Sequence, residues 1–430
     1  PLQAEDGIRD HLLGLVGSEM CIRDRCMHDN EKRFARRMRH LRASDIREIL
    51  KVTQRPEVIS FAGGLPAAEL LPAREMAGLA KQVLLEDGVR ALQYAPTEGL
   101  PVLRDLIAER MQRQSSTEIT RDEVLVVSGS QQALDLTGKV FLDEGDVILC
   151  ESPTYLGAIN AFRAYEPQFV SVATDDEGMI PEDLELHLST NHSVKLVYTV
   201  PDFQNPSGRR WSVNRRRALV EIATRRGVTV IEDSPYAELC FDGEPYPAVA
   251  TYDAHGLVVR LGTFSKLLSP GMRLGWVVGD SDLLRKYVLA KQGADLHTSS
   301  LSQLLAARFI TDHDFEGHIE RIRKVYGSRC RAMIAAMKEH FPDDIRFTRP
   351  AGGLFLWVEL PEGISSREVL ELSLEENVAF VPGGAFYANG GHENTMRLNF
   401  SAMPEDRITE GIRRLGLVLA DALEPAVAGV

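Results

Sequence analysis

The middle of the chain alternates short apolar runs with longer segments whose apolar residues recur at helical spacing. The apolar runs predict strands at Val124–Val127, Val147–Leu149, Gln168–Val172, Lys195–Thr199, Val228–Ile231, Val258–Leu261 and Leu274–Val278. The segments between them predict helices at Gln131–Phe141, Tyr155–Tyr165, Pro181–His187 and Val213–Arg226. Apolar strands that alternate with helices indicate an α/β protein with a mainly parallel sheet between helices. Ligands of such sheets lie at the carboxyl ends of the strands.

Helical patterns dominate both sides of this region. Before it, helices are predicted from Asn30 to Gln54, at Pro72–Glu86 and from about Pro101 to Arg113, and Asp45 with Glu48 forms a candidate capping box. After it, helices are predicted at Leu283–Gln292, Ser300–Thr311 and Phe315–His340. A smaller α+β unit follows, with strands near Ile345–Phe347, Leu354–Val358, Val378–Val381 and Met396–Asn399 and helices at Ser366–Glu376 and Pro404–Ala420.

The first 26 residues differ from the rest of the chain. The apolar run Leu12–Val16 is shorter than a signal-peptide core, and acidic residues rather than positive charges precede it. The segment resembles translated sequencing-adaptor read-through. We therefore expect residues 1–26 to be a non-native tail and Met27 to be the native start, with a genuine amphipathic arm as the alternative.

Composition narrows the classes of function. A chain of 430 residues with 44% hydrophobic and 26% charged residues is typical of a soluble globular protein with two domains. The net charge of −13 and the absence of a long basic run argue against nucleic acid, and no apolar run reaches membrane-spanning length. Five cysteines without paired spacing indicate reduced thiols and a cytoplasmic location. Scattered histidines, without HExxH or CxxC, argue against a metal site.

Lys266 lies in the connection between two predicted strands, which makes it the leading candidate for chemistry. Burial and a nearby cation such as Arg273 lower the pKa of an amine, and a neutral amine can form a Schiff base with an aldehyde. The hydroxyls of Thr263 and Ser265, together with Arg273, suit a phosphate ester. A solvated lysine in a surface turn is the alternative.

Further polar residues follow other predicted strands. Ser130 and Gln131 begin a helix, where free backbone amides form an anion site. Asn205 offers an amide in a strand-end loop. Asp233 ends an apolar strand, so its carboxylate needs a cationic or protonated partner. Ordinary turns are the alternative for the first two sites, and a helix cap is the alternative for Asp233.

Two more positions complete the set. Tyr236 follows Asp233 closely enough to point into the same space, and Arg397 lies within a strand pattern, where its guanidinium matches a carboxylate. A strand-surface arginine is the alternative for Arg397. An amine, an anion site, a carboxylate for a ring nitrogen and a carboxylate-binding arginine are what pyridoxal phosphate chemistry on an amino acid requires. The sequence has no Walker A loop and no GxGxxG motif.

From about Asp45 to the C-terminal helix, the chain resembles the class I aminotransferases of fold type I, which use pyridoxal 5'-phosphate. It is most similar to their 2-aminoadipate and kynurenine aminotransferase branch. The motifs that carry the resemblance are Phe61-Ala-Gly-Gly-Leu-Pro66, Ser128-Gly-Ser-Gln-Gln132, Pro201-Asp-Phe-Gln-Asn-Pro-Ser-Gly208, Glu232-Asp-Ser-Pro-Tyr236, Thr263-Phe-Ser-Lys266, Lys291-Gln-Gly-Ala-Asp-Leu-His-Thr298, Val381-Pro-Gly-Gly384 and Met396-Arg-Leu398. The resemblance implies an arm at residues 27–70 that contributes to the small domain and the pocket, a large cofactor-binding domain at 71–300 and a small domain at 301–430.

The resemblance also implies a role for each matching residue. Lys266 would hold the cofactor aldehyde and later move a proton, and Asp233 would keep the ring nitrogen protonated. Asn205 and Tyr236 would hydrogen-bond the ring oxygen, and Tyr155 would stack on the ring. The residues implied to bind the phosphate are Ser130, Gln131, Thr263, Ser265 and Arg273.

For the substrate, the resemblance implies that Arg397 grips the α-carboxylate beside Asn205 and that Gly64 lines the pocket. Tyr94 matches a tyrosine that reaches the phosphate of a neighbouring subunit, which implies a homodimer with shared active sites. Arg47, on the predicted N-terminal helix, matches a position that can pair with a distal substrate carboxylate. A helix-surface ion pair is the alternative for Arg47.

The implied reaction is ping-pong transfer of an amino group from an L-amino acid of the 2-aminoadipate, aromatic or branched-chain type to 2-oxoglutarate. Ser207 and Ser234 depart from the residues usual at these positions, which leaves the donor open. A β-lyase on the same scaffold is an alternative. A second alternative is the effector-sensing module of a transcription regulator, although residues 27–44 are too short for the DNA-binding domain that precedes such modules.

Overall fold

The structure is a computed structural model that describes residues 33–39, 55–115 and 117–427. Residues 1–42 and 43–430 form two units. The described part of the first unit holds one 3-10 helix, Arg36–Arg39. Most of the predicted helix from Asn30 to Gln54 lies outside the described residues, as do Asp45, Arg47 and Glu48. All elements below belong to the second unit.

A seven-stranded sheet lies at the centre of the second unit. In spatial order its strands are Val124–Val127, Gly275–Val278, Val258–Thr263, Thr229–Asp233, Val194–Thr199, Val147–Glu151 and Gln168–Val172. Gly275–Val278 runs antiparallel to both of its neighbours, and the other neighbouring strands pair in parallel. The mainly parallel sheet predicted from the alternating pattern is therefore confirmed, and each predicted strand is present.

Helices cover both faces of this sheet. Neighbouring residues of one strand, Val230 and Ile231, belong to different hydrophobic clusters because successive side chains point to opposite faces. The α-helices in the described part of the second unit are Ala73–Glu86, Gly88–Leu92, Pro101–Ser115, Ser130–Phe141, Leu156–Arg163, Pro181–Thr190, Val213–Arg226, Ser281–Gln292, Ser300–Asp312, Phe315–His340, Ser366–Glu375 and Glu405–Val427. Strands buried on both faces consist of apolar residues throughout, which is why the sequence marked them clearly.

The helix Val213–Arg226 begins and ends at the predicted residues because both ends have strong local signals. The Ser212 hydroxyl accepts a hydrogen bond from the backbone N–H of Arg215, and Gly227 ends the helix with a φ of 65°. The C-terminal helix is longer than predicted, because it continues to Val427 instead of ending near Ala420. The short helix Gly88–Leu92 was not predicted.

A four-stranded antiparallel sheet forms a second layer, with strands in the order Arg346–Phe347, Phe355–Glu359, Thr395–Asn399 and Val381–Pro382. The predicted strand Val378–Val381 is wrong as one element, because its two halves pair with different partners. Val378–Ala379 pairs with Ile59–Ser60 and Val381–Pro382 pairs with Thr395–Asn399. The hairpin of Thr174–Asp175 and Gly178–Met179 was also missed.

The α/β fold class is confirmed by this arrangement, whereas the domain boundaries at residues 70 and 300 stay predictions. Ile59–Ser60 brings the segment after residue 55 to the C-terminal part of the chain, where the Asn399 N–H donates to the Phe61 carbonyl at 2.9 Å. Within the described residues, no helix is both long and apolar enough to cross a membrane.

Candidate active site

A cavity of about 300 Å³ opens where several parallel strands of the large sheet end. Of the residues predicted for the site, those that line it are Gly64, Ser130, Gln131, Tyr155, Asn205, Asp233, Tyr236, Thr263, Ser265, Lys266, Arg273 and Arg397. Val200, Pro235, Pro270 and Phe355 also line it and were not predicted. The structure thus brings together residues that lie more than three hundred positions apart in the sequence.

One predicted site residue, Tyr94, is not among the residues that line this cavity. Tyr94 is 77% exposed, and its ring meets the His297 ring edge-on at a centroid distance of 5.6 Å. Arg47 lies outside the described residues. The roles predicted for both stay predictions.

The Lys266 side chain extends into the cavity from the connection after the strand Val258–Thr263. Its Nζ donates a 2.6 Å hydrogen bond to the Gly64 carbonyl oxygen. Burial, followed by the positive charges of Arg397 and Arg273, lowers the pKa of the Lys266 amine to about 8. Near neutral pH a useful fraction of this amine is therefore neutral and able to attack an aldehyde.

Hydrogen bonds between nearby residues hold the connection that carries Lys266 in place. The Phe264 N–H donates to the Leu274 carbonyl at 3.1 Å, and the Ser265 N–H donates to the Thr263 hydroxyl oxygen at 3.0 Å. The Thr263 hydroxyl also lies 3.0 Å from the Leu274 carbonyl oxygen. The chain thereby returns to the end of the strand that it left, where the next strand, Gly275–Val278, begins. Arg273 consequently reaches the same cavity as Lys266.

An anion cradle forms where Gly129 leads into the helix Ser130–Phe141. Gly129 has a φ of 83°, and a Cβ at this position would lie 2.3 Å from Nη2 of Arg273. Only glycine therefore fits beside the guanidinium. Free backbone amides at the start of this helix and the Arg273 charge favour a negatively charged group such as a phosphate.

Asp233 is the last residue of the strand Thr229–Asp233 and is 2% exposed. Its Oδ2 accepts a 2.8 Å hydrogen bond from the Tyr198 hydroxyl, whereas its buried Oδ1 has no hydrogen-bond partner within the described chain. Burial raises the pKa of the Asp233 carboxyl to about 7. A ligand that brings a proton on a ring nitrogen would satisfy the unpaired oxygen and stabilise the charged form.

Arg397 is buried on the strand Thr395–Asn399. Its Nη1 donates to Oδ1 of Asn205 at 2.8 Å and its Nη2 donates to the Ala62 carbonyl at 2.7 Å, while Nε is buried without a partner in the described residues. The guanidinium also lies 4.2 Å above the centre of the Phe355 ring. Burial lowers the pKa of Arg397 to about 10, so the group stays charged at neutral pH and suits a carboxylate.

Tyr236 and Asn205 also line the cavity. The Tyr236 ring meets the Phe355 ring edge-on at 6.0 Å, and burial is the main reason that the pKa of its hydroxyl is raised. A hydrogen bond that its hydroxyl oxygen accepts from the Asn205 side-chain amide opposes part of that shift. Both side chains therefore present polar atoms to the cavity.

Two residues that the sequence did not indicate contribute to this geometry. Tyr198 lies inside a buried strand, where its only signal was a hydroxyl that needs a partner. Phe355 supports Arg397 and Tyr236 from the smaller sheet, but a phenylalanine in an apolar strand gives no sign of its position near a site.

This donor set fits pyridoxal phosphate. The unpaired Asp233 Oδ1 suits a protonated ring nitrogen, the Arg273 guanidinium beside Gly129 suits the phosphate, and the Lys266 amine suits the aldehyde. Among the described residues, no group of three or more His, Cys, Asp or Glu side chains is arranged to hold a metal ion.

Comparison with known proteins gives the same assignment. The family model "Aminotransferase class I and II" matches residues 57–415. A 2-aminoadipate transaminase of Thermus thermophilus is 45% identical over 393 residues, which cover 91% of this chain and 97% of that protein.

Two solved structures are similar over nearly their whole length. A kynurenine aminotransferase of Pyrococcus horikoshii has a TM-score of 0.89 and 42% identity, and the match covers 93% of this chain and 100% of that one. An α-aminoadipate aminotransferase of T. thermophilus, complexed with N-(5'-phosphopyridoxyl)-L-leucine, has a TM-score of 0.85 and 43% identity over 91% of this chain and 98% of that one. These neighbours confirm the predicted fold type I. The chain belongs to the class I and II aminotransferase family, in its 2-aminoadipate and kynurenine branch, and is a pyridoxal phosphate-dependent aminotransferase.

Proposed function

We propose that the enzyme moves the amino group of an L-amino acid of the 2-aminoadipate, aromatic or branched-chain type to 2-oxoglutarate by a ping-pong mechanism. The observation that carries this proposal is the placement of an amine, an unpaired carboxylate oxygen and a buried guanidinium around one cavity. Relatives named for 2-aminoadipate and kynurenine, and a neighbour that holds a leucine adduct, support the range of donors.

When bound, pyridoxal phosphate supplies an aldehyde and a ring that accepts electrons. Asp233 would hold the proton on the ring nitrogen with its Oδ1, and Asn205 and Tyr236 would bind the ring oxygen. Arg397 would bind the α-carboxylate and thereby orient the Cα–H bond. The Lys266 amine, with its lowered pKa, would take the proton from Cα and deliver it to the carbon of the aldehyde group.

We further propose that Arg47 selects donors with a distal carboxylate, because the matching position in this branch can pair with such a group. An Arg47→Ala variant should then lose kcat/KM for 2-aminoadipate by about tenfold or more while it keeps most of its activity on leucine. An equal loss for both donors would contradict this role.

A homodimer is part of the proposal. A patch of exposed apolar side chains includes Tyr94, Leu85 and Val89, which line one surface depression. An exposed patch of this kind marks an interaction surface, and a second copy seated there would bring Tyr94 towards the neighbouring phosphate. Mixing inactive Lys266→Ala and Tyr94→Ala subunits should restore activity if sites are shared, because some mixed dimers then hold one intact site.

We expect the enzyme to act in the cytoplasm, which the free, buried thiols of Cys150, Cys240 and Cys330 support.

The experiment that tests the main proposal is a panel of amino donors with 2-oxoglutarate as acceptor. We expect each active donor alone to change the absorbance of the bound cofactor, and 2-oxoglutarate alone to reverse the change. Release of ammonia without that reversible half-reaction would contradict transamination and favour a lyase.

A further inference from the structure

Glu151 is a buried carboxylate outside the cavity, at the end of the strand Val147–Glu151. It is 3% exposed, and no ion pair of the described residues includes it. Its Oε2 accepts hydrogen bonds from the Val200 N–H at 2.8 Å and the Thr199 hydroxyl at 3.2 Å. Its Oε1 accepts from the Trp211 indole N–H at 2.8 Å. An acid that is buried without a cation needs such donors to remain in the core.

The donors Val200 and Trp211 lie at the two ends of one loop, residues 200–211, and Thr199 directly precedes this loop. Val200 begins this loop directly after the strand Val194–Thr199, and Trp211 ends it, with its backbone N–H donating to the Pro201 carbonyl at 2.9 Å. In the middle of the loop, Nε2 of Gln204 donates to the Pro153 carbonyl at 3.0 Å, close to Glu151 in the sequence. The Glu151 carboxyl group therefore binds both ends of the loop and holds them at the end of the strand Val147–Glu151.

The loop carries Asn205 into the cavity. Oδ1 of Asn205 accepts the 2.8 Å hydrogen bond from Arg397, and the Asn205 amide also bonds Tyr236. A change in the path of the loop would therefore move Asn205. Both the amide that faces the cavity and the hydrogen bond that supports the Arg397 guanidinium would then change.

We propose that Glu151 is a positioning residue, whose carboxyl group fixes the loop 200–211 and through it the place of Asn205 against the cofactor ring and Arg397. The proposal rests on the family assignment and not on the choice of amino donor. The contacts suit a carboxyl group because the Val200 and Trp211 N–H groups can only donate, so each oxygen that faces one of them has to accept.

This geometry makes glutamine a disruptive replacement although its shape is nearly the same. Whichever way the amide of a Glu151→Gln variant is turned, its NH₂ group faces either the Trp211 indole N–H or the Val200 N–H. One end of the loop then loses its acceptor and meets a second donor.

The experiment compares the cofactor-loaded wild-type protein with Glu151→Gln and with a control, Thr137→Val. Thr137 is fully buried, and its hydroxyl bonds the Ala133 carbonyl at 2.8 Å and the Tyr287 hydroxyl at 2.9 Å, away from the loop. Two quantities are measured: the melting temperature, and the pH midpoint of the absorbance change of the bound cofactor, to which ring contacts such as Asn205 contribute.

We expect both variants to lower the melting temperature and only Glu151→Gln to move the pH midpoint, by about half a unit or more. In an Asn205→Ala background, Glu151→Gln should cause no further movement of the midpoint, because it acts through Asn205. If Glu151→Gln fails to fold, Trp211→Phe removes one of the donors and should move the midpoint in the same direction by less.

An unchanged midpoint in folded Glu151→Gln or, failing that, in Trp211→Phe would overturn the proposal. A further movement in the Asn205→Ala background would also overturn it. Neither measurement needs an amino donor, so failure of this proposal is distinct from failure of the proposed donor range.

Discussion

The Lys266 amine and the Gly64 carbonyl oxygen are joined by a 2.6 Å hydrogen bond between residues 202 positions apart. The bond holds the amine within the cavity and beside a wall that also carries Arg397. Because burial and the two arginine charges lower the pKa of the amine to about 8, its neutral fraction grows as the pH rises through that value.

Replacement of the amine should separate covalent attachment from cofactor binding. A Lys266→Ala variant should still bind pyridoxal phosphate, because the cradle at Gly129 and the Asp233 carboxylate are unchanged. Its turnover should fall by more than about a thousandfold, since it lacks both the nucleophile and the proton carrier. Borohydride reduction followed by peptide mapping should label Lys266 in the wild-type protein, and a label on another peptide would contradict the assignment.

The raised pKa of Asp233 predicts a pH dependence of stability in the cofactor-free protein. Its carboxyl has an ordinary pKa near 3.8 when unfolded and about 7 when buried, so the native state binds more protons between these values and stability falls as the pH rises through this window. An Asp233→Asn variant avoids this cost, which is up to about 4 kcal/mol. Its melting temperature should therefore exceed that of the wild type clearly at pH 8 and little at pH 4, as calorimetry would measure.

The same comparison with bound cofactor provides the control for Asp233. A protonated ring nitrogen stabilises the charged carboxylate, so the advantage of Asp233→Asn at pH 8 should shrink or reverse in the loaded protein. An advantage that is equal with and without cofactor would contradict the placement of the ring nitrogen at Asp233.

The cradle predicts that Gly129→Ala weakens cofactor binding. The new methyl group would overlap the Arg273 guanidinium, and the φ of 83° disfavours any side chain. We expect the dissociation constant for pyridoxal phosphate to rise by about tenfold or more, corresponding to at least about 1.4 kcal/mol. Gly145→Ala is the matched control, because Gly145 has a φ of 84° but open space around its Cβ position, and it should alter stability without altering cofactor affinity.

The contacts of Arg397 predict that lysine cannot replace it. The two hydrogen bonds to Asn205 and Ala62 use separate nitrogens of the planar guanidinium, and a lysine ammonium cannot keep both while it binds a carboxylate. An Arg397→Lys variant should lose about a hundredfold in kcat/KM for every α-amino acid donor, with cofactor content unchanged. Steady-state kinetics with two unlike donors would check this, since a loss restricted to one donor would point to side-chain recognition instead.

The sequence indicated most of this site because its members have local signals. Asp233 ends an apolar strand, Gly129 and Ser130 join a strand to a helix, and Lys266 lies between two strands, so each is conspicuous in its own segment. The parallel sheet was predicted for the same reason, since buried strands are apolar throughout.

What the sequence could not indicate depends on partners far apart in the chain. Tyr198 and Asp233 are 35 positions apart, and Glu151 and Trp211 are 60 positions apart, so neither hydrogen bond has a pattern that one segment reveals. The split of the predicted strand Val378–Val381 has a similar cause. Its first half pairs with Ile59–Ser60, whose two residues are too few to show a strand period.

The reversed direction of Gly275–Val278 in the large sheet has a consequence for how the site tolerates change. Because the chain leaves the sheet after Thr263 and re-enters it at the same end of the strands, one brief excursion carries both Lys266 and Arg273 into the cavity, where they would attach the reactive end and the phosphate end of the cofactor. Their separation is therefore set by the length of that excursion. Adding or removing a residue between Lys266 and Arg273 should be more damaging than most substitutions within it.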